Sequence, residues 1–389
     1  LAGRAVPTGL RHGTVTVKTE QGGVEITTLR RDGAYRDHRR PETVTFTDSL
    51  EEDLRRRDFT INAMAADLQG TLYDPLGGRA DLTAKVLRCV GEPDRRFGED
   101  ALRILRGLRF AAELGVTVHP DTAVAIHRNR ELLRAIAPER ICAELKKLVS
   151  GKWAAEVLRA YPDVAGVFWP EILPMVGFDQ RNGHHCYDVW EHTVRAVGQV
   201  PAEPVLRWAM LLHDSGKPAC KTVDEQGIGH FRGHPKVSRE IAERVVARLR
   251  FSSADTERIL LLVERHDTPL GDNEKLVRRS LSRIGEARFR DLLAIKKGDA
   301  VGQGTSRDYV AQLFETEALL NRVLAQEQCF SLRQLAVNGT DLQALGLRGR
   351  PVGEMLHALL DAVIDGQTDN RRETLLRLAR TRMEEQHVK

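Results

Sequence analysis

Hydrophobic and polar positions along the chain follow two rhythms. Near the start, TVTVK (14–18) alternates with a period of two, and VEITTL (24–29) resumes after a QGG turn. That alternation predicts two strands joined as a hairpin. The segment RDGAYRDHRRPE (31–42) is dense in charge and turn formers and reads as a loop. From Leu50 onward the helical period dominates. The spacing predicts helices over 59–67, 99–114, 121–134, 138–149, 188–200, 204–213, 235–249, 254–265 and 352–365. No repeat of 20–50 residues and no low-complexity linker interrupts the pattern. The expected class is α+β, a small αβ head followed by an all-α body.

Composition narrows this picture. A chain of 389 residues is long enough for two or three domains. No run approaches the ~18 apolar residues of a membrane span, so no membrane partner is expected. The five cysteines are scattered, with no CxxC pair. They argue against a disulfide framework or a thiolate zinc site and for a reducing cytoplasm. The net charge of +4 is spread evenly between the first 150 residues and the rest, which points only weakly to nucleic acid. Arginine far outnumbers lysine. That fits bidentate recognition of phosphates and base edges, or simply an arginine-rich coding bias.

The densest chemistry lies between Glu51 and Phe110. RRDFTINAMA (56–65) packs Arg57, Asp58 and Asn62 beside apolar residues. DPLGGRADL (74–82) sets Gly77 and Gly78 between carboxylates, which fits a hinge, a close backbone approach to a ligand, or a sharp connector. In GEDALRILRGLRFAAELG (98–115), Asp100, Arg103, Arg106 and Arg109 recur every three residues and form a slanted ridge. An ionised aspartate only accepts hydrogen bonds and an arginine only donates. Cytosine and adenine each present an amino donor next to a ring acceptor, so such a pair complements both. Guanine and uracil place an N–H where the arginine must donate, an opposition worth about 1–3 kcal/mol per group. The remaining arginines suit a triphosphate.

RRDFTINAMA, DPLGGRADL, EDALRILRGLRFAAELG and APERICAEL (137–145) occur in the order of the second to fifth motifs of class II tRNA nucleotidyltransferases, the CCA-adding enzymes. The chain resembles that family strongly over 1–150. The resemblance implies a polymerase-beta-like head, template-independent addition of CCA to tRNA from CTP and ATP, and Mg²⁺ for nucleotidyl transfer. It places Arg57 and Asp58 near the ribose and phosphates, Asp100 and Arg103 on the base, and Arg106 and Arg109 on the nucleotide. Glu25 matches the family's third active-site carboxylate, and the loop 32–42 resembles its flexible loop. The family's first motif, a glycine-rich turn followed by an Asp-x-Asp pair, has no counterpart before Glu25. The hairpin lies very near residue 1, and the expectation is a chain written from downstream of that motif and catalytically incomplete. Poly(A) polymerase and A-adding relatives share the motifs and stand as alternatives.

Downstream, HHCYDVWEH (184–192), HDSGK (213–217), GHPKVS (233–238), RHD (265–267) and KKGDA (296–300) supply an ordered set of histidines and aspartates. This set resembles the HD superfamily of metal-dependent phosphohydrolases. The resemblance implies His192, His213, Asp214 and Asp299 as core ligands of a divalent metal, His234 and His266 as extra ligands, and Lys217 near a phosphate. An HD phosphohydrolase with an RNA-binding front domain is therefore the other reading. The expected division is a head at 1–66, a nucleotide- and RNA-binding neck at 67–180, an HD domain at 181–300 and a tRNA-contacting helical tail at 301–389. In the tail, Gly346 and Gly349 precede a helix whose N-terminus, with Arg348 and Arg350, fits a phosphate or only a capped turn.

Overall fold

The computed structural model describes residues 4–9, 13–20, 22–33, 43–181, 186–304, 307–326 and 328–387. The expected flexible loop falls mostly at 34–42, outside the described residues. The alternating segments form an antiparallel three-stranded sheet in the order Arg4–Gly9, Thr14–Thr19, Gly22–Thr27. Thr14 pairs with Thr27 and Thr16 with Glu25. A short hairpin, Arg30–Asp32 with Val44–Phe46, leads into helix Leu50–Arg55, capped by the Ser49 hydroxyl.

Asp53, buried on that helix, ties the hairpin to the two arginines just past the helix end. Its Oδ1 accepts the Arg30 backbone N–H at 3.2 Å and the Arg56 guanidinium at 2.6 and 2.9 Å, and its Oδ2 lies 3.3 Å from Arg57. Burial pushes its carboxyl up, but Arg56, the Arg30 N–H and Arg57 outweigh burial and hold it below the ordinary value.

The helix expected over 59–67 does not form. Asp58 Oδ1 accepts the Phe59 N–H and the Asn62 amide, Thr60 N–H bonds to Arg88 O, and only one 3₁₀ turn, Thr60–Asn62, results. Such side-chain bonds to local backbone compete with helix. The 99–114 helix is likewise broken at Asp100, whose extended backbone separates Pro93–Glu99 from Leu102–Leu114. The 121–134 segment is an α-helix, Pro120–Asn129, that tightens into a 3₁₀ turn, Arg130–Ala135. The other predicted helices form within two residues of their expected limits. Gly78 is a close-approach glycine, since a Cβ there would lie 2.1 Å from Thr60 O.

One apolar core runs from Phe59 to Val323, and a smaller one, Cys329 to Ala379, unites the last three helices. Within the large core, helix Val189–Gln199 packs on helix Glu286–Gln303 at small residues. A Cβ on Gly302 would sit 2.8–2.9 Å from Ala196, and one on Gly298 would sit 2.5 Å from Val200. This close crossing brings His192 and Asp299, on opposite helices, to 3.0 Å. Among the described residues no helix is long and apolar enough to cross a membrane.

Two outcomes are expected. Gly302→Leu wedges the two helices apart and lowers stability by roughly 1–3 kcal/mol in urea melts, whereas a neutral result means the crossing is not tightly packed. Asp53→Asn loses roughly 1.5–3 kcal/mol at neutral pH. Its folded carboxyl lies below the unfolded value, so the stabilisation is present above the ordinary carboxylate pKa and fades as pH falls through the folded one. Melts of wild type and variant should therefore converge below about pH 4; a gap that does not depend on pH contradicts the charge pairing.

Candidate functional site

Two clusters gather the predicted residues. The first is a cleft of about 650 Å³ between the head strands and helix Leu102–Leu114, with Thr27, Arg57, Asp58, Asp100, Arg103 and Arg106 on its wall. Asp58 Oδ2 holds Arg106 at 2.7 Å, and Arg57 donates to Asn62 O at 3.2 Å. Asp100 accepts the Leu102 N–H at 3.1 Å. Burial raises its carboxyl above the usual value, against the opposing pull of Arg140, Arg103 and Arg106.

Arg103 is only 8 % exposed. Its Nη1 bonds to Glu99 Oε2 at 2.8 Å and to Arg96 O at 3.1 Å, and its Nη2 donates to Arg56 O at 3.2 Å. An arginine has five N–H donors, so these three bonds fix the guanidinium plane and leave donors for a ligand. The structure does not bring Arg109 into the cleft. Its guanidinium pairs with Glu144 at 3.0 Å and lies over the Phe110 ring. Glu25 is exposed on strand Gly22–Thr27, two residues from Thr27, and so projects from the same face of the strand as that cleft residue. Arg140 and Glu144 went unnoticed as site residues because the fold brings their partners, Asp100 and Arg109, to them. The only signal for them was their place in the APERICAEL motif. Glu99 has a local partner, Arg103, four residues on.

The second cluster lies in the helical body, beside a cavity of about 510 Å³. His192 comes from helix Val189–Gln199, His213 and Asp214 follow helix Pro204–Leu212, and His234 begins helix His234–Arg248. His266 follows helix Ser253–Arg265, and Asp299 lies on helix Glu286–Gln303. All six predicted residues are therefore brought together. Asp214 Oδ2 faces His213 and His192 at 3.2 and 3.4 Å, while its Oδ1 faces His234 and His266 at 3.3 and 3.8 Å. The histidines aim Nε2 inward, and the Nδ1 atoms of His213, His234 and His266 bond to the carbonyls of Met210, Phe231 and Val263. Those carbonyls fix the tautomer in which Nε2 is the available lone pair.

Two triads, His192–His213–Asp214 and Asp214–His234–His266, have ligand atoms close enough to share an ion. Burial disfavours charge on His213, but Asp214 and Asp299 override it and push it up to about 10. Burial and the neighbouring His213 charge press His266 down to about 4. Burial pushes the Asp214 and Asp299 carboxyls up, but the imidazoles, with Lys217 adding to the pull on Asp214, outweigh it and hold both well below the usual range. Lys217 Nζ sits 2.7 Å from Asp214 and donates to the buried Gln180 Oε1 at 3.0 Å. Asp267 was also missed. It is half-exposed beside His234 and His266 at 3.5 and 3.3 Å.

Three family models match the chain. One, for the poly A polymerase head domain, covers residues 2–88. A second, for the probable RNA- and SrmB-binding site of polymerase A, covers 115–161. The third, for a tRNA nucleotidyltransferase domain 2, covers 224–379. The CCA-adding enzyme of Geobacillus stearothermophilus is 33% identical over 96% of this chain and 82% of its own length. That of Limosilactobacillus fermentum is 32% identical over 97% and 83%. The crystal structure of the Bacillus stearothermophilus CCA-adding enzyme in complex with CTP superposes with a TM-score of 0.69 at 28% identity, over 99% of this chain and 85% of that one. On these grounds, and with residues of three of the four ordered motifs lining one cleft, the chain belongs to the CCA-adding enzymes, which are tRNA nucleotidyltransferases.

Proposed function

We propose that the head cleft takes CTP and ATP in turn and adds C, C and A to the 3′ end of tRNA, with Asp100 and Arg103 reading the base. The observation that carries this reading is the fixed Arg103 guanidinium beside a half-buried Asp100 acceptor at one turn of the cleft wall. A base edge that offers an amino donor and a ring acceptor satisfies both groups, and one that offers a ring N–H does not. Arg106, steadied by Asp58, and Arg57 lie where they can contact ribose and phosphates. Arg109 acts at one remove, by holding helix Pro138–Ser150 through Glu144. In the reaction the tRNA 3′ oxygen bonds to the α-phosphorus and pyrophosphate leaves. Glu25 is the candidate for the third active-site carboxylate. The family's chemistry uses Mg²⁺. Among the described residues no three potential ligands converge in this cleft, and its two carboxylates already face arginines.

A second reading is favoured by the six-residue cluster. Its mixed imidazole and carboxylate donors fit a divalent transition metal, with His192, His213, Asp214 and Asp299 as one set and His234 and His266 beside it. A bound metal would supply an acidified water for phosphoester hydrolysis. Around it, the backbone carbonyls orient the imidazoles and Lys217 offers a cation to a phosphate. The cytoplasm is our assignment for the compartment. It is supported by five cysteines that are all unpaired.

Incubation of tRNA lacking its 3′ end with CTP alone, ATP alone and both tests the first reading. The chain supplemented with the family's first motif should extend with C before A, and Asp100→Ala should lose discrimination of C and A against U by roughly tenfold or more. Extension with any nucleotide alike contradicts it. For the second reading, metal analysis after dialysis against Mn²⁺ should find bound metal, and His213→Ala should retain several-fold less. Equal retention contradicts the cluster as a metal site.

A further inference from the structure

Asp100 occupies the break between helices Pro93–Glu99 and Leu102–Leu114, and three arginines approach it. Arg103 and Arg106, from its own side, are each committed to another carboxylate, Glu99 at 2.8 Å and Asp58 at 2.7 Å. The third, Arg140, comes from helix Pro138–Ser150, which packs along Leu102–Leu114 through Ile141 and Leu145. Its Nη2 lies 3.7 Å from Asp100 Oδ2. Its Nη1 is buried and makes no hydrogen bond, and among the described residues Asp100 is the carboxylate it faces. Both side chains border the cleft.

We propose that Arg140 is a positioning residue for base selection: it keeps the Asp100 carboxylate ionised inside the cleft, and that charge state acts with the Arg103 donors to exclude uracil. The proposal rests on the reading of Asp100 as the base-contacting acceptor. An ionised carboxylate has only acceptors, so it takes the amino group of cytosine or adenine and repels the carbonyl of uracil. A neutral carboxyl has one donor and one acceptor. Its donor suits the uracil carbonyl that the ionised form repels, so a protonated Asp100 loses its share of the discrimination and leaves only the opposition between the ring N–H and Arg103. Burial already drives the group towards protonation, and a base seated above it removes more water. Arg140 is the largest of the opposing charges, with Arg103, Arg106 and the Leu102 N–H behind it. Because Arg103 and Arg106 are neutralised by their own partners, neither replaces it.

Binding of CTP and of UTP to the full chain, measured by calorimetry at about pH 8 and about pH 6, tests this without requiring turnover. The ratio of the two affinities cancels the ionisation of the triphosphate. In the wild type, CTP should be preferred at both pH values with little change. In Arg140→Gln the preference should fall several-fold from the higher to the lower pH, because the carboxyl no longer faces the Arg140 charge and takes up a proton more readily. Arg140→Lys, which restores the charge, should recover most of it. Arg140→Met, which keeps the packing of the stem, should behave as the glutamine variant does. Asp100→Asn, a permanent donor and acceptor, should accept UTP equally at both pH values. A wild-type preference at both pH values in the glutamine and methionine variants overturns the role of Arg140. A wild type that never prefers CTP to UTP overturns instead the assignment of Asp100 as the base reader.

Discussion

A charged side chain removed from water must find a partner on every exposed edge, and this demand shapes the cleft. Arg103 is nearly buried, and its guanidinium is held by one carboxylate and two backbone carbonyls from separate segments. One of those carbonyls, Arg56 O, belongs to the segment that Asp53 anchors to the hairpin. The other, Arg96 O, belongs to the helix before the break at Asp100. Arg103 thus joins head, break and neck in one network. An unpaired charge at this position costs several kcal/mol, and this keeps the three segments in register. The cleft is organised before any nucleotide arrives, and preorganisation lowers the entropy that a ligand must overcome.

The helical body applies the same rule at its second cluster with different chemistry. Here the buried charges are two aspartates, and the groups around them are imidazoles, two of which, His213 and His266, commit their outer nitrogens to helix-end carbonyls. Asp214 shares its two oxygens between the two halves of the cluster. The small residues at the crossing of helices Val189–Gln199 and Glu286–Gln303 make the approach of His192 to Asp299 possible. Large buried apolar residues, including Trp169 and Trp208 with rings 5.5 Å apart, belong to the same core.

Much of this was legible in the sequence, and where it was not, long-range partners explain the gap. Helices with local start signals were read closely. Asp188 caps its helix by accepting the Glu191 N–H, Ser252 does the same for Asp255, and Pro204 stands at a first turn. The order of histidines and aspartates was readable because each sits at the end of an amphipathic helix or on its buried face. The segment 59–67 was misread because its apolar spacing looks helical, while the Asp58 carboxylate and the Arg88 carbonyl claim the Phe59 and Thr60 N–H groups and Phe59 bridges to Cys89. Arg109 was misplaced for a related reason. Spacing put it on the ridge, but Glu144, thirty-five positions downstream, determines where it points. Arg140 acts on Asp100, forty positions upstream, and Asp267, though next to His266, reaches His234 only through the fold.

The central claim is that protein side chains on one helical turn stand in for a complementary base. A crystal structure of the chain with CTP tests it most directly. The account predicts the cytosine amino group within hydrogen-bond distance of Asp100 and its ring nitrogen facing the remaining donors of Arg103. A cytosine bound elsewhere, with both side chains still paired as they are without it, would contradict it.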